Sequence, residues 1–89
     1  MTRKHILFSG RVQGVGFRYH SSVLARDCHL TGWVRNLGSG DVEMEIQGKP
    51  LDIEKFLFLI GKDDPYIRIE RMEVNDRNEI DEKGYFERF

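Results

Sequence analysis

The sequence predicts an α+β sandwich in which an antiparallel four-stranded sheet carries two helices on one face. Three observations point there. Short apolar runs stop at glycines or turn residues, one segment alternates strictly between apolar and acidic positions, and two stretches with helical apolar spacing interrupt the strands to give the order β-α-β-β-α-β.

Lys4 to Ser9 (KHILFS) is short, apolar and aromatic and ends at Gly10, as a buried first strand does. Gly10 to Gly16 (GRVQGVG) follows as a glycine-rich loop. From Phe17 to His29, the positions His20, Val23, Leu24 and Cys28 follow the i, i+3, i+4 spacing of an amphipathic helix. Thr31 to Leu37 reads as a second strand, Gly38-Ser39-Gly40 as a turn, and Asp41 to Gln47 as a third strand with Val42, Met44 and Ile46 on one face and Asp41, Glu43 and Glu45 on the other. That alternation describes a hairpin with one wet face. Pro50 suits a first helical position and Asp52 and Glu54 the positive end of the helix dipole; Ile53, Phe56, Leu57 and Ile60 share one stripe before Gly61, so a second helix covers about residues 50–61. After a turn at Lys62 to Pro65, Ile67, Ile69 and Val74 mark a fourth strand, and Tyr85 to Phe89 can add a short fifth after Lys83-Gly84. The order is that of the split βαβ, or ferredoxin-like, sandwich, in which right-handed crossovers put both helices on one face.

Eighty-nine residues suit one compact domain, here residues 1–89. The net charge of −1 argues against a strongly basic nucleic-acid binder, yet it conceals a division. Residues 1–36 hold Arg3, Lys4, Arg11, Arg18, Arg26 and Arg35 against Asp27 alone, net +5, and the remaining 53 residues hold eight cations and fourteen anions, net −6. Fixed positive charge in one segment raises the local concentration of anionic ligands, although neighbouring segments of opposite sign can also simply balance each other. Cys28 is the only cysteine, so no intramolecular disulfide can form, and a lone Cys is ordinarily a small buried hydrophobe. The longest strictly apolar run, Phe56 to Ile60, is too short to span a bilayer, and no signal-peptide pattern opens the chain; the expectation is a cytoplasmic protein with no membrane partner.

The segment GRVQGVGFR joins a strand to a helix start, where backbone N–H groups lack intrahelical partners and the helix dipole contributes about half a positive charge. A tetrahedral oxyanion is the natural guest. Glycines at 10, 14 and 16 permit left-handed backbone and close approach to that guest, and Arg18, on the first helical turn, can add a two-pronged cation to the same oxygens. No Gly-Lys-Ser/Thr follows these glycines, so the loop is not a nucleoside-triphosphate P-loop, and Tyr19 stands where a dinucleotide fingerprint needs a third Gly. RNA recognition on the open sheet face is disfavoured because the third strand, DVEMEIQ, has three acids and no aromatic residue.

GRVQGVGFR, followed 14 residues after Arg18 by GWVRN, resembles the paired signatures of the acylphosphatases, from about Lys4 to Gly48. The stretch KDDPYIRIER departs from the Gly/Pro-rich approach to the fourth strand that many members have, and YFERF matches the family's usual ending only in part. The resemblance implies hydrolysis of acyl phosphates, mixed carboxylic-phosphoric anhydrides, to a carboxylate and inorganic phosphate by in-line attack of water, with no metal or organic cofactor. It implies that Arg18 binds the phosphoryl group, that the amides of Gln13, Gly14, Val15, Gly16, Phe17 and Arg18 cradle it, and that Asn36 positions the water. Inorganic phosphate is then product and competitive inhibitor, and a monomer is expected. Without the motif, Asn36 would read as a residue of the turn that follows.

The other residues of this region have plainer expected roles. Phe17 and Trp33 are expected in the core or the loop wall, Tyr19 and His20 in packing, Gln13 as a loop brace, and Arg11 and Arg35 as contributors of positive field near the loop. His5, His20 and His29 show no metal-ligand spacing. Two rival readings are a segment of a larger carbamoyl-phosphate-using maturation protein, against which the short chain argues, and a ferredoxin-like module that binds an anion without turnover. A pure binder would need Arg18 but not Asn36.

Overall fold

The structure, a computed structural model, describes residues 1–62 and 64–88. The elements are β1 (Thr2–Arg11), α1 (Phe17–Asp27), β2 (Thr31–Asn36), β3 (Val42–Gly48), α2 (Pro50–Leu59), β4 (Arg68–Arg77) and β5 (Tyr85–Arg88). The sheet order is β4-β1-β3-β2-β5. Strands β1 to β4 pair antiparallel throughout, as expected, and β5 adds a fifth strand that runs parallel to β2, from Gly32↔Tyr85 to Arg35↔Arg88. A parallel sense on the far edge was not legible, since local alternation carries no information on strand direction. Phe89, expected at the end of this strand, and Asp63, expected in the turn before β4, lie outside the described residues.

One apolar cluster joins Ile6 and Phe8 of β1, Val34 of β2, and Val42, Met44 and Ile46 of β3 to Phe17 and Ala25 of α1 and Ile53 and Phe56 of α2. Each of the larger side chains contributes about 1.5–3 kcal/mol by leaving water. Both helices end about two residues earlier than the apolar stripe predicts. At α1 the reason is a Schellman motif: His29 takes a left-handed φ of 60°, its N–H donates to Arg26 O at 3.0 Å, and Leu30 N–H reaches back to Ala25 O at 2.9 Å. Before β4, the Asp64 carboxylate accepts from the N–H groups of Tyr66 (2.8 Å) and Ile67 (3.1 Å), which turns the chain into the sheet. Within β4, only Ile69 packs against the core; Val74 is exposed along the edge.

The face of the sheet away from the helices is polar but only partly wet. Residues 78–84 cross it as a strap. The Gln47 side-chain amide accepts from Ile80 N–H at 3.0 Å and donates to Ile80 O at 2.8 Å, imitating a rung of a β-ladder. Beneath the strap, Arg3 is only 2% exposed and donates to Glu45 (2.6 Å), Glu82 (2.5 Å) and Gln47 (3.2 Å). Burial works against its charged form, but the hydrogen bonds and attraction of Glu82 and Glu45 outweigh that and raise its pKa.

Candidate active site

The site is built at the exit of β1. Gly10, expected to help line an anion site, instead faces β4: a Cβ there would lie 2.2 Å from Arg68 O, where the register shifts between Ser9 and Gly10. Val12 is buried in the core and anchors the start of the loop. Gly14 (φ 73°) and Gly16 (φ 78°) take left-handed conformations with open space where a Cβ would stand, so backbone conformation and not crowding calls for glycine. An L side chain would cost about 1–2 kcal/mol at each. Gly16 is the N-cap of α1, with no side-chain cap and no acid in the first turn. The first internal bond of the helix is His20 N–H to Gly16 O at 2.9 Å, so the N–H groups of Phe17, Arg18 and Tyr19 lie ahead of the ladder at the positive end of the dipole.

Phe17 is 1% exposed and packs edge-on against Phe8, with ring centroids 5.0 Å apart, which ties the helix start to β1. Ser21 and Ser22, both buried, donate their hydroxyls to Arg18 O at 3.0 and 2.7 Å. They hold the backbone of Arg18 from below and escaped the sequence reading, although two serines three and four positions after Arg18 on a buried helix face are a signal for such back-bonding. Gln13 is a brace, as expected: its Nε2 donates to Leu37 O and Asp41 O, both at 2.7 Å. These carbonyls also close the β2–β3 turn through Leu37 N–H to Asp41 O (2.9 Å) and Gly40 N–H to Leu37 O (3.2 Å). The loop is thereby fastened to the hairpin that carries Asn36.

Between loop and hairpin lies a cleft of about 150 Å³. Gly14, Gly16, Phe17, Arg18 and Asn36 line it together with Val12 and Tyr19, whereas Gln13 turns toward the hairpin and Val15 packs against the core. This volume is well below the roughly 300–1,000 Å³ of pockets for drug-sized ligands, and it suits a group of a few heavy atoms. Asn36 ends β2 on the same face as Val34; among the described residues its buried Oδ1 has no hydrogen-bond partner.

The family model that matches this chain is that of acylphosphatase, over residues 4–88. The chain belongs to the acylphosphatase family. An acylphosphatase of Geobacillus kaustophilus is 42% identical over 86 residues, covering 96% of this chain and 92% of the relative. An acylphosphatase structure from Coxiella burnetii superposes with a TM-score of 0.90 at 31% identity, covering 98% of this chain and 92% of that one. HypF from T. kodakarensis matches 99% of this chain at 36% identity and a TM-score of 0.87, but only 12% of its own length is involved.

Set in an acylphosphatase frame, several neighbouring residues differ from their expected places. Arg35 does not line the cleft. It points to the strap face, where its Nε donates to Glu43 Oε1 at 2.6 Å and its guanidinium lies 5.6 Å from the Trp33 ring centroid. Successive strand residues face opposite sides, so Val34 and Asn36 look inward and Trp33 and Arg35 outward. Trp33 is accordingly half-buried on the strap face and not in the core. Tyr19 is not a packing residue; it is 70% exposed. His20 is half-buried, and among the described residues its buried Nε2 has no partner. Arg11 is exposed beside the loop, opposite Arg68. Cys28 is buried, and burial pushes its thiol pKa up, which removes it as a nucleophile. Among the described residues no three His, Cys, Asp or Glu side chains cluster as a metal site, and no helix is long and apolar enough to cross a membrane.

Proposed function

We propose that the chain acts as a single acylphosphatase domain, residues 1–89, that hydrolyses small acyl phosphates to a carboxylate and inorganic phosphate without a metal or organic cofactor. The observation that carries this reading is that Arg18, the glycines of the loop and Asn36 line one small cleft. The phosphoryl oxygens lie against the N–H groups of the loop Gln13–Arg18 and the Arg18 guanidinium. In a loose phosphoryl-transfer transition state, charge spreads over the three equatorial oxygens, and fixed donors meet it without reorganising.

Asn36 holds the attacking water. A buried amide oxygen without a protein partner is the kind of acceptor that an ordered water satisfies, and the amide cannot itself take a proton at neutral pH. The water oxygen bonds to phosphorus in line as the bond from phosphorus to the acyl oxygen breaks, and its electron pair leaves with the carboxylate. The proton of the water passes to a phosphoryl oxygen, since neither motif contains His, Asp or Glu. A carboxylate is a good leaving group, so positioning and charge stabilisation suffice without general-acid catalysis.

Hydrolysis of benzoyl phosphate in the presence of a chelator tests the reading. Turnover far above the spontaneous rate, with competitive inhibition by inorganic phosphate, is expected; loss of activity on adding chelator would overturn the metal-free mechanism. A second reading is a domain of a larger carbamoyl-phosphate-using protein; the match of 99% of this chain to 12% of HypF supports only its first element, that this fold can stand as one part of a longer chain. Acetyl phosphate, carbamoyl phosphate and 1,3-bisphosphoglycerate compared side by side separate the two, because only the second requires carbamoyl phosphate to be preferred.

A further inference from the structure

Tyr19 is the one cleft-lining residue whose bulk stands in solvent. It lines the same cleft as Arg18 and Asn36, yet it is 70% exposed, while its aromatic neighbour Phe17 is sealed in the core. A ring of this size ordinarily gains by burial, and an exposed one beside a site marks a contact surface. One benzene-sized group fills a cavity of about 150 Å³, so a cleft of this volume cannot hold a phosphoryl group, its water and a benzoyl-sized acyl group together, and a large acyl group must extend to the mouth. We infer that the Tyr19 ring receives the acyl group there and makes the site selective for acyl phosphates with flat aromatic or extended apolar acyl chains over acetyl phosphate. The inference rests on the proposed acyl phosphate hydrolysis and adds a residue that sets specificity, with no part in the chemical step.

Little else on the surface of the cleft can grip an apolar acyl group. Val12 and Phe17 are buried, the glycines offer only backbone, and Arg18 and Asn36 are polar. Contact with an aromatic face needs the ring and not the hydroxyl, which separates Tyr19→Phe from Tyr19→Ala.

The test is the ratio of kcat/KM for benzoyl phosphate to that for acetyl phosphate, measured for the wild-type protein, Tyr19→Ala and Tyr19→Phe. The ratio does not depend on the fraction of active molecules, so partial misfolding cannot imitate the effect. Tyr19→Ala should lower the ratio by about three- to tenfold, the span of one aromatic contact, and Tyr19→Phe should keep it within about twofold of wild type. A ratio unchanged in Tyr19→Ala, or lowered equally in Tyr19→Phe, would overturn the inference while leaving the hydrolysis reading intact. A wild-type protein that turns over neither substrate would overturn the hydrolysis reading, and this inference with it.

Discussion

Polar groups concentrate in two places in this molecule, and they are treated in opposite ways. On the strap face, polar groups answer one another within the protein: Arg3 pairs with Glu45 and Glu82, and Glu43 pairs with Arg35 (2.6 Å) and hydrogen-bonds His5 (2.7 Å). In the cleft, the helix start has no side-chain cap or acid in its first turn, and the Asn36 oxygen finds no acceptor-satisfying partner among the described residues. Polar groups that satisfy one another hold the fold; polar groups kept from doing so are what a ligand can satisfy. The contrast also relocates the positive charge of the N-terminal third. Arg3 and Arg35 pair with carboxylates on the strap face, and Arg18 is among the residues that line the cleft.

Substitutions in each region should therefore break different properties. Arg3→Ala leaves Glu45 and Glu82 partly buried without their cation and should cost about 3–5 kcal/mol in a urea-unfolding experiment, with activity per folded molecule within twofold of wild type. Arg18→Gln should do the reverse, with near-wild-type stability but a loss of roughly 10²–10³ in kcat/KM and loss of phosphate inhibition. Asn36→Ala should lose about 10² in turnover while phosphate inhibition persists; an Asn36→Ala enzyme with a normal rate would remove the water-positioning role. The smallest effect is a pH dependence. Burial alone would raise the Glu43 pKa, but the hydrogen bonds from His5 and Arg35 overcome it and hold it below the ordinary 4.5. Between those two values the unfolded chain binds more protons, so the contribution of Glu43 to stability is present above pH 4.5 and fades as pH falls through its folded value. Glu43→Gln should flatten the acid limb of a stability–pH curve, and an unchanged limb would show that other carboxylates control it.

What could be read from the sequence was what depends on neighbours along the chain. The two-residue alternation of β3, the stripe Ile53, Phe56, Ile60, and the glycine loop ahead of α1 are local patterns, and each reappears in the structure. The placement of Arg35 was misread although the signal was there: with Val34 turned inward, strand alternation sends Arg35 to the opposite face from Asn36. The strap was not legible. NEIDEK is polar and charged and reads as a solvated connection, and its partners, Arg3 and Gln47, lie far away in sequence. The exposure of Tyr19 was hidden for a different reason. Helical periodicity gives the face a residue occupies but not whether that face is covered at the first turn.

The parallel pairing of β5 with β2 has a consequence for how the chain is made. Until residues 85–88 emerge during synthesis, the strand that ends in Asn36 has a bare edge, and Arg3 lacks a carboxylate 79 positions away. Contacts of such long separation must close large loops before they return any stabilisation, which slows folding and makes β1 depend on the strap. The sheet therefore cannot be completed piecemeal: until β5 is made, β2 offers a bare edge on which another chain could pair.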